Sequence, residues 1–170
     1  MRGLYVGRFQ PFHRGHEMVV DDISDDSDVD EVVVAVGSAQ MSHSLRNPFT
    51  AGERVSMITK TLEDRKTTVY AIPIEDLNRN AVWTTHTRSM CPPFEVVYSN
   101  NPLIVRLFEE EGAEVRGCPM FERERFSGSE IRRRMLEDGD WRLLVPDAVE
   151  DVVDEVEGVQ RLRDLDGDDS

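Results

Sequence analysis

The chain has 170 residues and a formal net charge of −14, from 34 acidic and 20 basic residues. Such an acidic protein repels nucleic acids and anionic membranes, so we expect neither as a partner. No run of about 18 apolar residues occurs, which argues against a membrane-spanning helix. Cys91 and Cys118 lack the spacing of a metal site. Because no secretory signal is visible either, we expect free thiols and a cytoplasmic location.

The first predicted strand, residues 4–6, leads directly into the string GRFQPFHRGH at residues 7–16. A predicted helix over residues 14–26 follows, so this turn lies where open α/β sheets bind their ligands. A helix start offers unpaired backbone N–H groups and a partial positive charge, which suit a phosphate. His13 and His16 share one face if the helix begins near His13. The simpler interpretation is a pair of surface histidines in a helix-opening turn.

A second apolar run, residues 32–36, predicts another buried parallel strand. The polar loop that follows, residues 38–48, contains Arg46, which is a candidate phosphate contact. The residues TAGE at positions 50–53 form a capping box, which predicts a helix that continues to about residue 62.

The remainder of the chain continues the alternation of strands and helices. Further strands are predicted at residues 67–74, 95–98 and 114–117, and further helices at residues 80–88, 103–111, 127–136 and 149–162. This order predicts an α/β fold, a Rossmann-like doubly wound parallel sheet with a helical C-terminal segment. We expect residues 1–163 to form a single domain and the acidic residues 164–170 to be a disordered tail.

A second group of cations opens the predicted helix at residues 127–136, where the string is SGSEIRRRML. Ser127 and Ser129 place hydroxyl groups at the helix start, and Arg132 returns to that end one turn later, which is typical of a phosphate site. Ser127 and Glu130 also match a capping box, so an ordinary helix start explains the segment equally well. Consecutive arginines cannot share one face, so at most two of the three can reach a ligand.

Taken together, these strings resemble the nucleotidyltransferases that carry a (Thr/His)-x-Gly-His motif, and in particular the archaeal nicotinamide-mononucleotide adenylyltransferases. The resemblance extends over residues 2–163. It rests, in that family's order, on GRFQPFHRGH (7–16), GSAQ (37–40), NPFTAGER (47–54), PPF (92–94), SGSEIRRRM (127–135) and DGDWR (138–142). It implies transfer of AMP from ATP to nicotinamide mononucleotide, giving NAD⁺ and pyrophosphate. It also implies Mg²⁺ on the ATP phosphates and a symmetric homo-oligomer such as a hexamer.

Adenylyl transfer requires cations and N–H donors rather than a protein nucleophile, because a phosphate of the acceptor attacks the α-phosphorus of ATP. We therefore expect the catalytic residues to be His13, His16 and Arg132. The expected ATP-binding residues are Gly7, Arg8, Phe9, Gln10, Gly15, Arg46, Ser127, Gly128 and Ser129. Phe9 fits a core position equally well. No residue is assigned to a metal held by the protein itself.

The expected acceptor-binding residues are Ser38, Asp76, Asn80 and Trp83. In the family that the chain resembles, a tryptophan in the place of Trp83 stacks on the nicotinamide ring, and an indole over a cationic pyridinium gains cation–π energy. The alternative is that Trp83 anchors the core. Phosphopantetheine adenylyltransferases and small cytidylyltransferases share the first motif and are the alternative enzymes. A non-catalytic nucleotide sensor on the same fold is the alternative of another class.

The charge composition predicts a dependence on salt. Only Lys60 and Lys66 among the 20 basic residues are lysines, and many carboxylates with few lysines favour a protein that stays soluble in a salt-rich cytoplasm. Molar salt shortens the Debye length to about 3 Å and screens the repulsion among carboxylates. We expect the midpoint of thermal unfolding to fall when molar KCl is replaced by dilute buffer. Equal midpoints in both buffers would instead indicate an ordinary acidic enzyme.

Overall fold

A computed structural model describes residues 1–167. Its centre is one sheet of five parallel strands in the order β3-β2-β1-β4-β5. The strands are β1 (Arg2–Gly7), β2 (Glu31–Val36), β3 (Thr68–Pro73), β4 (Val96–Tyr98) and β5 (Glu114–Arg116). The chain winds from β1 outward to β3 and then returns to the other side of β1, so the strand order reverses between β1 and β4. The predicted doubly wound, Rossmann-like sheet is confirmed, and its ligand crevice belongs at the carboxyl ends of these two strands.

Helices cover both faces of the sheet. They are α1 (Arg14–Asp25), α2 (Ala51–Leu62), α3 (Trp83–Met90), α4 (Pro102–Glu110), α5 (Gly128–Leu136), α6 (Asp147–Glu155) and α7 (Gly158–Gly167). Single 3-10 turns occupy Asn80–Val82 and Arg142–Leu144. The helix predicted at residues 80–88 therefore opens as a 3-10 turn before it becomes α3. Within residues 1–167, no helix combines the length and the apolarity that crossing a membrane requires.

The apolar core has two layers because β2 is buried on both faces, as is usual for an interior parallel strand. Val32, Val34 and Val36 belong to the larger layer, which includes residues of α1, α2 and the C-terminal helices. Val33 and Ala35 face the other layer, where they join Phe94 of the α3–β4 connection and Phe108 of α4. The sheet thus holds the carboxyl end of β1 between two packed layers.

The single amphipathic helix predicted at residues 149–162 is wrong, because the structure has two helices there. Glu157 adopts a left-handed backbone conformation with φ of 53° and separates α6 from α7. Gly158, the first residue of α7, lies against the ring of Phe49, and a Cβ at this position would come within 2.7 Å of that ring. Close packing of α7 against Phe49 therefore requires a glycine at this position.

The predicted disordered tail begins inside α7, since residues 164–167 continue that helix. Residues 168–170 lie outside the described residues. The single domain over residues 1–163 stays a prediction, although one sheet connects β1 to β5 and α7 packs beside α5.

We expect Gly158→Ala to destabilise the protein. The added methyl group would lie 2.7 Å from Phe49 and 3.1 Å from Val153, and overpacking of this kind costs about 1–3 kcal/mol. Urea unfolding in high salt measures the change in the free energy of unfolding. Gly52→Ala is the matched control, since a Cβ there meets nothing within 4 Å. A Gly158→Ala variant as stable as the control would contradict the packing argument.

Candidate active site

The two histidines of the first motif cap the amino terminus of α1. His13 is the N-cap residue, and its Nδ1 accepts a hydrogen bond from the backbone N–H of His16 at 3.3 Å. Nδ1 of His16 in turn accepts from the backbone N–H of His13 at 3.2 Å. The two rings are stacked, with centroids 3.5 Å apart. This is a capping box in which imidazoles take the places usually held by Ser or Thr and by Glu.

Because both Nδ1 atoms accept, each neutral imidazole carries its proton on Nε2. Burial lowers the pKa of His13 to about 3. Burial, reinforced by the neighbouring His13, also lowers the pKa of His16 well below its ordinary value. Neither Nε2 has a hydrogen-bond partner in the part of the chain that the structure describes. The helix start therefore holds two neutral N–H donors that are available to a ligand.

Three arginines gather beside this helix start. Arg8, Arg46 and Arg132 line one cavity of about 420 Å³ together with His16 and Ser129. Phe9, Gln10 and Gly128 complete its lining. Predicted residues from both ends of the chain are thus brought together around one cavity.

The arginine cluster, which we define as Arg8, Arg46 and Arg132, is not neutralised by ion pairs among the described residues. Across residues 1–167 no carboxylate forms an ion pair with any of the three, although eleven other arginines have such partners. Burial lowers the pKa of Arg8 and of Arg132, and the like charges within the cluster lower both further. An anionic ligand would relieve this repulsion, so the cavity suits phosphate groups.

The start of α5 explains how Arg132 reaches the cavity. Nη1 of Arg132 donates to the backbone oxygen of Gln10 at 2.7 Å. A Cβ on Gly128 would lie 2.6 Å from that Nη1, so the path of the guanidinium depends on the glycine. Ser127 caps the helix by accepting from the N–H of Glu130 at 3.2 Å. In this segment Ser127 therefore serves the helix start, whereas Arg132 is the side chain that can contact a phosphate.

Arg133 and Arg134 do not line the cavity. Both form ion pairs with Glu130, at 2.6 Å and 2.9 Å, and Arg133 also contacts Glu137. The Glu130 carboxylate is engaged in this way instead of closing a capping box with Ser127. Of the three consecutive arginines, only Arg132 belongs to the arginine cluster.

A larger cavity of about 640 Å³ adjoins the first and shares His16 and Gly128 with it. His13, Gly15 and Ser127 also line this cavity. Its other wall comes from residues 99–102 and 118–121, at the carboxyl ends of β4 and β5. Asn100 joins the two segments, because its side chain donates to Cys118 O at 2.7 Å and accepts from Cys118 N at 2.9 Å. None of the residues of this wall is among the site residues predicted from the sequence.

Some residues predicted to bind ATP are engaged in packing. The side-chain amide of Gln10 is buried and bonds both backbone groups of Phe49, each at 2.9 Å. Phe9 is 2% exposed, and its ring fills the space that a side chain on Gly7 would need. Gly15 likewise leaves room for His13, whose Cε1 would be 3.0 Å from a Cβ there. The ring of Phe9 therefore occupies the space beside Gly7, and ATP binding by Gly7 stays a prediction.

The predicted acceptor residues are only partly connected. Ser38 Oγ donates to the carboxylate of Asp76 at 2.7 Å, and the charge of Asp76 acts on Arg8 and opposes the lowering of its pKa. Asn80 is exposed at the start of the 3-10 turn. Trp83 is partly buried and makes an edge contact with Phe108, with centroids 5.9 Å apart. No hydrogen bond among residues 1–167 joins Asn80 or Trp83 to the Ser38–Asp76 pair.

A helix start with free imidazole donors, at the switch point of a doubly wound sheet, defines a nucleotide-binding class of proteins. The match of residues 4–134 to the cytidylyltransferase-like family shows that the chain belongs to that family.

Within it, the chain belongs with the archaeal nicotinamide-nucleotide adenylyltransferases. It is 60% identical to that of Halobacterium salinarum over 162 residues, which cover 95% of this chain and 90% of the relative. It is 58% identical to that of Methanothrix thermoacetophila, with coverage of 96% and 95%. It is 50% identical to that of Archaeoglobus fulgidus, with 98% of each covered.

Solved structures confirm the fold. A bifunctional NMN adenylyltransferase/ADP ribose pyrophosphatase from Francisella tularensis, complexed with AMP and a manganese ion, aligns with a TM-score of 0.73 at 19% identity. The alignment covers 96% of this chain, which spans about half (51%) of that protein. The nicotinic acid mononucleotide adenylyltransferase of Plasmodium falciparum, complexed with APC, aligns with a TM-score of 0.65 at 14% identity, covering 94% of this chain and 96% of that one.

We expect His16→Ala to lower kcat more than it weakens ATP binding. Loss of one positioned donor to a developing charge typically costs about 10²- to 10³-fold in kcat. Steady-state kinetics and equilibrium ATP binding measure the two effects separately. His16→Gln is the matched variant, because glutamine can still accept from the backbone N–H of His13 and so preserve the cap. Equal losses in kcat and in ATP affinity would contradict a transition-state role.

Proposed function

We propose that this protein transfers AMP from ATP to nicotinamide mononucleotide, forming NAD⁺ and releasing pyrophosphate. The observation that carries the proposal is the arginine cluster, three cations without a carboxylate partner within residues 1–167, beside the free Nε2 donors of His13 and His16. The names of the relatives, at 50–60% identity, support the same reaction. They favour it over the phosphopantetheine and cytidylyl alternatives.

In this proposal the two adjoining cavities divide the ATP molecule between them. The larger cavity, walled by residues 99–102 and 118–121, receives the adenosine. The smaller one receives the phosphates, where the arginine cluster binds the β- and γ-phosphates. His16 lines both cavities, and this position supports our assignment of its Nε2–H to the α-phosphate. His13 lines the larger cavity but stacks on His16 at the junction with the smaller one, and there we assign its Nε2–H to the departing pyrophosphate.

The chemistry follows from what each group can do. An oxygen of the acceptor phosphate forms a bond to the α-phosphorus, and the bond from that phosphorus to the bridging oxygen of the β-phosphate breaks. Negative charge spreads over the phosphoryl oxygens, and prearranged donors stabilise it without reorganising. Neutral imidazoles with fixed N–H donors and permanently charged guanidiniums are suited to this task. A sensor without catalysis would not need donors directed at the leaving group.

We propose Mg²⁺ as the metal ion, bound through the ATP phosphates. Within residues 1–167 there is no group of three His, Cys, Asp or Glu residues that could hold a metal ion. The donor set still fits, because Mg²⁺ usually retains waters and is held through substrate phosphates instead of an all-protein cage. His13 carries its proton on Nε2 and therefore binds a phosphate oxygen and not the metal. When bound, the ion neutralises charge on the transferred and departing phosphates.

The acceptor residues in this proposal are Ser38, Asp76, Asn80 and Trp83. The rings of Trp83 and Phe108 meet in an edge contact, and the partly buried Trp83 side chain keeps accessible surface with which to stack on the nicotinamide ring. The Ser38–Asp76 pair lies close enough to Arg8 for its charge to act on that residue. We place the acceptor on this side of the arginine cluster, opposite the adenosine.

We also propose a cytoplasmic homo-oligomer that does not bind nucleic acid.

The proposed function is tested by incubating the protein with ATP, Mg²⁺ and nicotinamide mononucleotide in molar KCl while pyrophosphate release is followed. Parallel reactions contain nicotinic acid mononucleotide, phosphopantetheine or no acceptor. Release that depends on a pyridine mononucleotide supports the proposal, and the two pyridine reactions identify the preferred acceptor. Release only with phosphopantetheine, or with no acceptor, would refute it.

We expect Trp83→Ala to weaken the acceptor and to spare ATP. Loss of a cation–π contact of about 0.5–2 kcal/mol corresponds to an increase in KM for the mononucleotide of about 2- to 30-fold. Equilibrium binding of ATP alone should be nearly unchanged. Trp83→Phe keeps an aromatic face and should fall between the two proteins. A KM unaffected by the alanine substitution would show that Trp83 serves the core.

A further inference from the structure

Arg54, in the first turns of α2, is an unusual charged residue because its side chain is fully buried, with 0% exposure. No carboxylate among the described residues pairs with it. Its guanidinium instead donates to five backbone oxygens, those of Thr50 (3.2 Å), Arg8 (2.8 Å), Gly37 (2.8 Å), Ser38 (3.1 Å) and Met41 (3.4 Å). A guanidinium has five N–H donors, and here these five oxygens share them.

These oxygens belong to segments that are distant in the sequence. Arg8 lies in the turn after β1, Gly37 and Ser38 follow β2, and Met41 lies in the loop before α2. The two strands end side by side, since Gly7 pairs with Val36 and Gly37 N donates to Gly7 O at 2.8 Å. Arg54 is therefore a bridge between the turn that carries Arg8 and the segment that carries Ser38.

Resting on the proposed function, we propose that Arg54 is a positioning residue that sets the spacing between the triphosphate side and the acceptor side of the active site. Arg8 contributes its side chain to the arginine cluster, and Ser38 pairs with Asp76 on the acceptor side. Arg54 holds the backbone oxygens of both. Transfer requires the two reacting groups in line, and small misplacement is costly. The bridge therefore acts on the alignment of two substrates.

The charge of Arg54 also acts on the carbonyl groups that it binds. Carbonyl oxygens at the carboxyl ends of β1 and β2 carry partial negative charge, which would oppose phosphates if they were left unpaired. Burial, reinforced by the charge of Arg8, lowers the pKa of Arg54 to about 10, so the guanidinium remains a cation at neutral pH. Lysine could keep the charge, but its three donors cannot replace a planar five-donor fork.

The test compares Arg54→Met and Arg54→Lys with Arg65→Met. Arg65 is the matched control, because it links the turn after α2 to Glu17 and Asp21 of α1 and lines neither cavity. Each variant is assayed well below its unfolding midpoint in molar KCl, with kcat, both KM values and the folded fraction measured. We expect Arg54→Met to lower kcat on the order of 10²-fold, by more than either KM rises. We expect Arg54→Lys to recover only part of that loss.

Arg65→Met should lose stability and keep its kcat per folded molecule. A kcat per folded molecule that Arg54→Met leaves unchanged would overturn the positioning role. Full kcat in Arg54→Lys would also overturn it, since charge alone would then suffice, and this measurement is decisive if the methionine variant does not fold. Absence of turnover in the unaltered protein is a different failure, because it refutes the proposed function.

Discussion

The active site depends on holding three cations close together although no carboxylate within residues 1–167 forms an ion pair with them. Arg132 is anchored by the backbone oxygen of Gln10, and Arg8 is within 3.5 Å of the side-chain oxygen of Asn47. These neutral dipoles orient the guanidiniums without cancelling their charge. A carboxylate in the same place would stabilise the empty protein and weaken its attraction for a phosphate. The cavity therefore favours binding of an anionic ligand, at the expense of the stability of the unliganded protein.

The histidines are likewise held in place by neutral hydrogen-bond partners. A helix start needs acceptors for its unpaired N–H groups, and His13 and His16 supply them to each other through Nδ1. Satisfying the backbone in this way fixes both rings and leaves both Nε2–H groups for a ligand. Gly15 and Gly128 make the arrangement possible, since a Cβ on either would come within 3.0 Å of a site side chain, His13 or Arg132. The glycines of the motifs thus make room for protein side chains.

The sheet could be predicted because buried parallel strands and capping boxes leave local patterns. The wall around Asn100 and Cys118 could not, because β4 and β5 must pair before the segments that follow them meet. The glycine that opens α7 likewise packs against Phe49, which lies far away in sequence. The position of Arg54 on the buried face of α2 is visible in the sequence, because Met57, Ile58 and Leu62 share that face. Its full burial is not visible there, because it depends on backbone oxygens from segments that are distant in the sequence.

The contrast between the acidic protein and its cationic site also bears on how the site works at high ionic strength. At molar salt the Debye length is about 3 Å, so the net charge of −14 neither repels an incoming nucleotide nor steers it. Recognition must then rely on groups in contact with the ligand. Imidazole N–H donors and guanidinium forks act at hydrogen-bond distance and in a partly desolvated cavity, where screening is weakest. Cations placed at contact distance in this cavity therefore allow a strongly acidic protein to bind a polyanion.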